Sequence, residues 1–330
     1  PKPPRAPRSI GRSTRSLSAP SRGRRANGGS RALIAVVVGG GLALGMSACS
    51  TTSVGTPTPT PTSANSSTAD GPAPVVSESQ LALILGKVTS VSAAADEKLD
   101  PALASTRFAG AALEARAANY AMRKTNDAIA AMPSLKASPV QLFLPQATNL
   151  WPRSILVMVQ AGQAAAPDQQ APTVALTLTQ ETPRSNYKVV YAINLEAKQQ
   201  IPEVAASSVG TPLVALDTKL LVASPQDVVA AYADVINNGE ASKLYPLFDP
   251  TDALRTLIAT ERQSQQGDKD VQASFTDVQG TGPVAFAAKD AGAIVAVQMN
   301  ELTRFSPLNN RDLKLAGQLK ALAGLEISNR

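Results

Sequence analysis

Residues 153–160 read Arg-Ser-Ile-Leu-Val-Met-Val-Gln, and residues 173–179 read Thr-Val-Ala-Leu-Thr-Leu-Thr. In the first stretch, positions 155–159 are apolar without alternation, as in a strand covered on both faces. In the second, Val174, Leu176 and Leu178 alternate with Thr or Ala, the period of two of a strand. Upstream, Val140, Leu142 and Leu144 alternate in the same way. Downstream, Tyr187, Val189, Tyr191, Ile193 and Leu195 share one face of a further strand. Polar loops at 162–171 and 183–186 separate these runs, and consecutive strands with short loops predict an antiparallel meander.

On the N-terminal side of Met132-Pro133 the period is helical. Ser77 with Gln80 forms a capping box, and Leu81, Ile84, Val88, Val91 and Ala95 follow at helical spacing. Asp100-Pro101 opens a short helix with proline in its first position. An Ala-rich third helix is predicted over 109–124, with Leu113, Ala117, Tyr120 and Lys124 three or four apart. After a longer connection broken by Pro202, Gly210 and Pro212, the order restarts. Ser224-Pro225-Gln226-Asp227 caps a helix carrying Val228, Tyr232 and Val235, which Asn237-Asn238-Gly239 ends. A short piece carries Leu244, Leu247 and Phe248, and Asp249-Pro250 is expected to cap another helix with Leu254, Leu257 and Ile258. Strands are predicted at 271–278, 284–288 and 293–305, with 289–292 as a hairpin loop, then a helix over 311–323 and the start of a strand from 325.

Helices followed by strands, twice over, predict an α+β fold of two tandem domains, each a few helices and a curved antiparallel sheet. The boundaries are 77–200 for the first, 201–223 for the connector and 224–330 for the second, which is expected to be incomplete at its C-terminal end.

The chain has 330 residues, 44% of them hydrophobic, so it is long enough to build a sizeable core. With 4% aromatics, that core is made mainly of Ala, Val, Leu and Ile. The net charge of +6 is concentrated in residues 1–31, where Lys2, Arg5, Arg8, Arg12, Arg15, Arg22, Arg24, Arg25 and Arg31 meet no acid. Without them 22 basic side chains face 25 acidic ones, a net of −3, which argues against nucleic acid as a partner. There is no histidine and a single cysteine. An internal disulfide and a Cys-based zinc site are thereby excluded, as are a histidine base and a histidine ligand.

The basic segment leads into an apolar run, Ala32-Leu33-Ile34-Ala35-Val36-Val37-Val38, then three glycines, then Leu42-Ala43-Leu44-Gly45-Met46. Small residues Ser47-Ala48 and then Cys49 follow. Basic, apolar and small segments in that order are the parts of a secretory signal, and the run is shorter than the roughly 20 residues a membrane-spanning helix needs. Residues 50–76 are Ser-, Thr- and Pro-rich, with Thr-Pro alternation at 56–62, a composition that predicts an extended, disordered tether.

Met46-Ser47-Ala48-Cys49 resembles the lipobox of bacterial lipoproteins, with Met46 in place of the usual leucine. The resemblance implies that diacylglycerol is attached to Cys49, that the bond between Ala48 and Cys49 is cut, that residues 1–48 are the signal peptide, and that 49–76 is the lipidated cysteine and its tether. The protein is then expected on the outer face of the cytoplasmic membrane. Together with Trp151-Pro152-Arg153, the run 155–160 and the Ser224-Pro225 helix start, these features resemble uncharacterised actinobacterial lipoproteins carrying a domain of unknown function. The stretch from Asp227 through Asn237-Asn238-Gly239-Glu240, with Leu247-Phe248-Asp249, is similar to the opening of the nuclear-transport-factor-2-like superfamily of cone-shaped α+β domains. That likeness implies a pocket between sheet and helices, which in several relatives is catalytic.

Tyr232, Tyr245 and Asp249 are the residues that would face such a pocket. The plainer reading is that Tyr232 packs and Asp249 caps, and nothing pairs them as acid and base. Tyr187 and Tyr191 are read as core or cross-strand packing. Trp151, the sole tryptophan, either seals a strand end or marks a contact surface, and the first is expected because most aromatic area is buried. Asp268, Asp270 and Asp277 read as a solvated loop and strand face. No phosphate loop, Ser-x-x-Lys nucleophile or metal-spaced carboxylate cluster stands out, so no catalytic residue and no cofactor is assigned. The expected role is non-enzymatic binding or scaffolding in the cell envelope, toward an envelope protein or a cell-wall component. The alternatives are a carrier or sensor of an apolar small molecule and, third, an isomerase- or dehydratase-like enzyme.

Overall fold

The computed structural model describes residues 71–164, 171–195, 201–267, 269–308, 313–314, 317–323 and 327–328. Met46, Ser47, Ala48 and Cys49, the rest of the signal, the tether up to residue 70, and Asp268 lie outside the described residues. Among those described, no helix is long and apolar enough to cross a membrane.

Helix α1 (Glu78–Lys98) starts at the expected capping box: the Ser77 hydroxyl accepts the Gln80 N–H, and the Gln80 side chain accepts the Ser77 N–H. It buries Leu81, Leu85, Val88, Ser92 and Ala95 at alternating steps of four and three. In α2 (Pro101–Ala104), one Asp100 carboxylate oxygen accepts the N–H groups of Ala102 and Leu103. Helix α3 (Gly110–Thr125) buries Ala112, Arg116 and Tyr120, one per turn. All three helices cover one face of a four-stranded antiparallel meander of β1 (Leu135–Pro145), β2 (Arg153–Ala161), β3 (Thr173–Gln180) and β4 (Lys188–Asn194), in that spatial order.

On the helical face, Ile155, Val157 and Val159 of β2 and Val174, Leu176 and Leu178 of β3 join α1 and α3 in one core. The intervening residues point to a second core of Leu144, Leu156, Met158 and Ala175, closed by Phe286. This is why 155–159 lacks alternation: both faces of β2 are covered.

Phe286 lies on β6 (Val284–Ala287), which forms an antiparallel hairpin with β7 (Ala293–Ala296). The connector ties this hairpin to the sheet. Thr211 exchanges backbone hydrogen bonds with Pro145 and Ala147, Leu213 bridges to Phe286, and the Val214 N–H donates to Ala285. Where the connector crosses β1, Gly210 has φ +72°, and a Cβ there would come within 2.9 Å of the Pro145 carbonyl oxygen. Only glycine meets both requirements.

The remaining described elements are α4 (Val228–Asn238), two short 3-10 turns (Gly239–Ala241 and Tyr245–Leu247), α5 (Ala253–Gln266), β5 (Val271–Gln279), β8 (Met299–Pro307), β9 (Leu313–Lys314), α6 (Gly317–Ala323) and β10 (Ile327–Ser328). Strands β5 and β8 pair antiparallel without a register break, and β9 pairs with β10. The class is therefore α+β with antiparallel sheets. In this second half the strands make separate two-stranded ribbons rather than one continuous sheet.

Four sequence expectations are corrected. Residues 74–76, assigned to the tether, belong to the fold: Pro74 bridges Ala147, Val75 donates to the Gln146 carbonyl, and Val76 is buried. The strand expected over 293–305 is two strands. Gln298 interrupts it by accepting the Gly280 N–H on its carbonyl and the Thr281 N–H on its side chain, so the chain leaves β6 and re-pairs with β5. The cap of α5 is Asp252, which accepts from Leu254 and Arg255, whereas Asp249 closes a local turn with Thr251. Among the described residues of 311–323, Gly317–Ala323 is helical and Leu313–Lys314 is strand.

Candidate functional site

A cleft of about 260 Å³ opens between α3, the outer edge of β4 and residues 297–298. Its geometry begins at Gly110, whose φ of +48° turns the chain into α3 immediately after Ala109 has bonded the Val189 carbonyl. A Cβ at Gly110 would meet Thr281 at 2.9 Å, so the turn is tight against the second half of the chain. Small residues on α3 (Ala111, Ala112 and Ala115) leave space beside β4, and Met132, Leu135 and Ile193 complete an apolar lining.

One charged group, Arg116, reaches the cleft. Its side chain is 3% exposed, bonds Asp96 and stacks over Phe108 at 4.3 Å. Tyr120 donates to the same Asp96 oxygen at 2.5 Å, and Ser92 donates to the other at 3.2 Å. Burial, and then the hydrogen bond to Asp96, push the Tyr120 hydroxyl above its ordinary value. The Arg116 charge is thus matched inside the protein, and the cleft presents mainly carbon. At the small end of ligand-cavity sizes, it suits a compact apolar group.

The far wall is held by two polar contacts. Gln298 donates to Glu114 at 2.8 Å and to Asn300 at 3.0 Å. The Tyr191 hydroxyl lies 2.7 Å from the carbonyls of both Thr281 and Gly282. Burial pushes this hydroxyl up to about 12, with Glu114 adding to the shift. Tyr187, expected on the same strand face, lies on the opposite one: a register shift sets Val189 against Leu178 and Tyr191 against Thr177, so Tyr187 and Val189 join the helical core and Tyr191 does not. Tyr187 is also buried and pushed up to about 12 by burial, against a lowering by Arg153. Its hydroxyl finds no hydrogen-bond partner among the described residues.

The two tyrosines therefore carry opposite expectations. Tyr187→Phe should raise stability by about 1 kcal/mol by removing an unsatisfied buried hydroxyl, and Tyr191→Phe should lower it by about 1–2 kcal/mol. Because both are raised above 10, folding stability is full below pH 10 and falls between about pH 10 and 12, where the unfolded tyrosines ionise first. Either substitution should flatten part of that alkaline loss in urea titrations. Equal destabilisation by both would contradict the assignment.

The residues singled out from sequence have other settings. Tyr232 is half-buried, donates to Asp252 and contacts Phe248, with ring centroids 5.2 Å apart. Arg255 lies 4.8 Å over Tyr245 and donates to the Asp249 backbone carbonyl, so these residues do meet at one corner between α4 and α5. The Asp249 carboxylate, however, is fully exposed and held below its usual range first by the Thr251 hydroxyl and then by the Thr251 N–H. Trp151 is 37% exposed beneath Arg153, so it does not seal the strand end as expected. The Asp277 side chain, expected in solvent, is 1% exposed. Arg262 donates to it at 2.6 Å, to Glu301 at 2.7 Å and to Asn237 at 2.6 Å. Burial lowers the Arg262 pKa, but its hydrogen bonds to the Asp277 carboxylate and then to Glu301 outweigh it, and the net direction is up.

A wider hollow of about 530 Å³ runs along the bulged edge of β1, past Glu78, Leu142, Phe143 and Val204. Its lining is more polar, and the smaller apolar cleft is the better-defined site.

The model of a family described as a domain of unknown function, DUF8094, matches residues 72–323. No curated protein and no solved structure matches the chain.

Proposed function

The chain belongs to the DUF8094 family, and from that premise we propose that it is a membrane-anchored extracytoplasmic lipoprotein with a non-enzymatic binding or scaffolding role in the cell envelope. One observation carries this reading. The sole cysteine stands directly after an apolar run and Ser47-Ala48, a Thr/Pro-rich segment follows, and the family match begins at residue 72, where that segment ends. The likeness to actinobacterial lipoproteins belongs to the same proposal. So does the likeness of residues 227–249 to a cone-shaped α+β domain. The exposure of the Asp249 carboxylate and the burial of Asp277 against Arg262 support a binding role over catalysis, because neither acid is poised for proton transfer.

Intact mass spectrometry of protein extracted from native membranes tests the anchor. The expected mass is that of a chain beginning at diacylated Cys49. Two acyl chains at roughly 0.8 kcal/mol per buried methylene make such an anchor stable. A chain that keeps residues 1–48, or a Cys49 without acyl groups, overturns it.

The second reading, a carrier or sensor of an apolar small molecule, is favoured by the cleft beside α3. Under native conditions the same mass measurement should then show a co-purified compact apolar compound, and Ala115→Leu at the cleft should remove it.

A further inference from the structure

The loop between β1 and β2 carries two apolar side chains outward: Leu150 is 73% exposed and Trp151 37%. The indole N–H is turned to Gln180 at 3.4 Å, the Arg153 guanidinium lies 3.7 Å over the ring, and Arg153 Nε donates to the Leu150 carbonyl at 3.4 Å. An exposed leucine, an indole and a cation are thus held together at one tip. The meander brings the β3–β4 turn to the same end of the sheet. Across the tip, that turn and the start of β4, Arg153, Arg184 and Lys188 face a single acid, Glu181.

The chain arriving from the N-terminus joins the fold at this end too, where Pro74 bridges Ala147 and Val75 bonds Gln146, a few residues from Leu150. An anchor at Cys49 is therefore attached to the fold at this end of the sheet. Tryptophan and arginine suit the headgroup level, the ring accepting an apolar neighbour below and the cation a phosphate beside it.

We infer that Leu150 and Trp151 form a bilayer-contacting tip that seats at the headgroup–acyl boundary of an anionic phospholipid surface, with Arg153 at the phosphates. This rests on the lipoprotein reading. Two side chains bind weakly by themselves, and the tether supplies the effective concentration that makes the contact persistent.

Trp151 is the only tryptophan in the chain, so its emission reports this site alone. The test couples the full chain through its sole cysteine to a maleimide lipid in phosphatidylglycerol–phosphatidylethanolamine vesicles, which makes it independent of lipidation in the cell. The expected result is a shift of Trp151 emission to shorter wavelength and quenching by acyl-brominated lipid. Both should be lost in Leu150→Lys, a substitution at a side chain exposed enough to leave folding intact, as circular dichroism would confirm. Unchanged emission on vesicles overturns the inference, and so does a shift that survives Leu150→Lys. A shift on adding peptidoglycan instead of vesicles assigns the tip to the wall and overturns it as well. An unacylated native chain would overturn the anchor alone, while the vesicle result would still decide the tip.

Discussion

Replacing Arg262 with methionine is expected to lower the unfolding free energy by about 3–5 kcal/mol, the range for stranding a buried charge. Methionine keeps most of the aliphatic volume, so packing changes little, but three polar partners on three elements lose their donor together. The side chain of Asp277 on β5 is 1% exposed and that of Glu301 on β8 28%, so water does not replace the guanidinium at the first and only partly does at the second. Asn237 at the end of α4 loses its contact as well. The cluster is what joins α4 and α5 to the β5–β8 ribbon. A methionine variant that also carries Asp277→Asn and Glu301→Gln should recover a substantial part of the loss, because the uncompensated charges are gone. Urea titrations of the single and triple variants decide the matter. A single-variant loss below about 1 kcal/mol, the size of a surface ion pair, would mean that this cluster is solvated in solution.

Phe286→Ala should cost a similar amount, about 3–5 kcal/mol, by removing a buried aromatic ring. Phe286 is 1% exposed and faces Leu144, Leu156, Met158 and Ala175 across the second face of the meander. The loss therefore falls on a contact between the two halves of the chain. Trp151 at the end of the meander provides an optical signal from the first half, and far-ultraviolet circular dichroism reports the whole. If Phe286 closes a shared core, both signals move together to lower urea in a single transition. An unchanged Trp151 transition beside an early loss of ellipticity would show that the hairpin is detachable.

Local signals in the sequence were sufficient for α1, α2 and the meander. The capping box at Ser77, the proline after Asp100 and the uninterrupted run at 155–159 each have a local cause that the structure repeats. What could not be read locally depended on distant partners. The spacing put Leu113, Ala117, Tyr120 and Lys124 on the inner stripe of α3, whereas the buried positions are Ala112, Arg116 and Tyr120 and Lys124 is exposed; Arg116 is tolerable inside because Asp96, on another helix, pairs with it. Arg262 and Asp277 look solvated in isolation for the same reason. The segment Asp249-Pro250-Thr251-Asp252 offers two aspartates with capping chemistry, and propensity does not choose between a turn at the first and a cap at the second. The break at Gln298 follows from a side chain that serves Thr281, Glu114 and Asn300 at once, a demand invisible in strand periodicity. The cleft was out of reach because its walls come from segments far apart in the chain.

The covering of the meander by Phe286 also has a consequence for the order in which the protein is assembled. A chain produced from its N-terminus completes α1–α3 and β1–β4 long before β6 exists. During that interval Leu144, Leu156 and Met158 form an apolar sheet face that still lacks Val284, Phe286 and Ile294. The contacts that close this face span a large part of the chain, which slows their formation relative to the local helices. The nascent protein therefore passes through a stage in which this apolar face is complete but only partly covered, and arrival of the β6–β7 hairpin ends that stage.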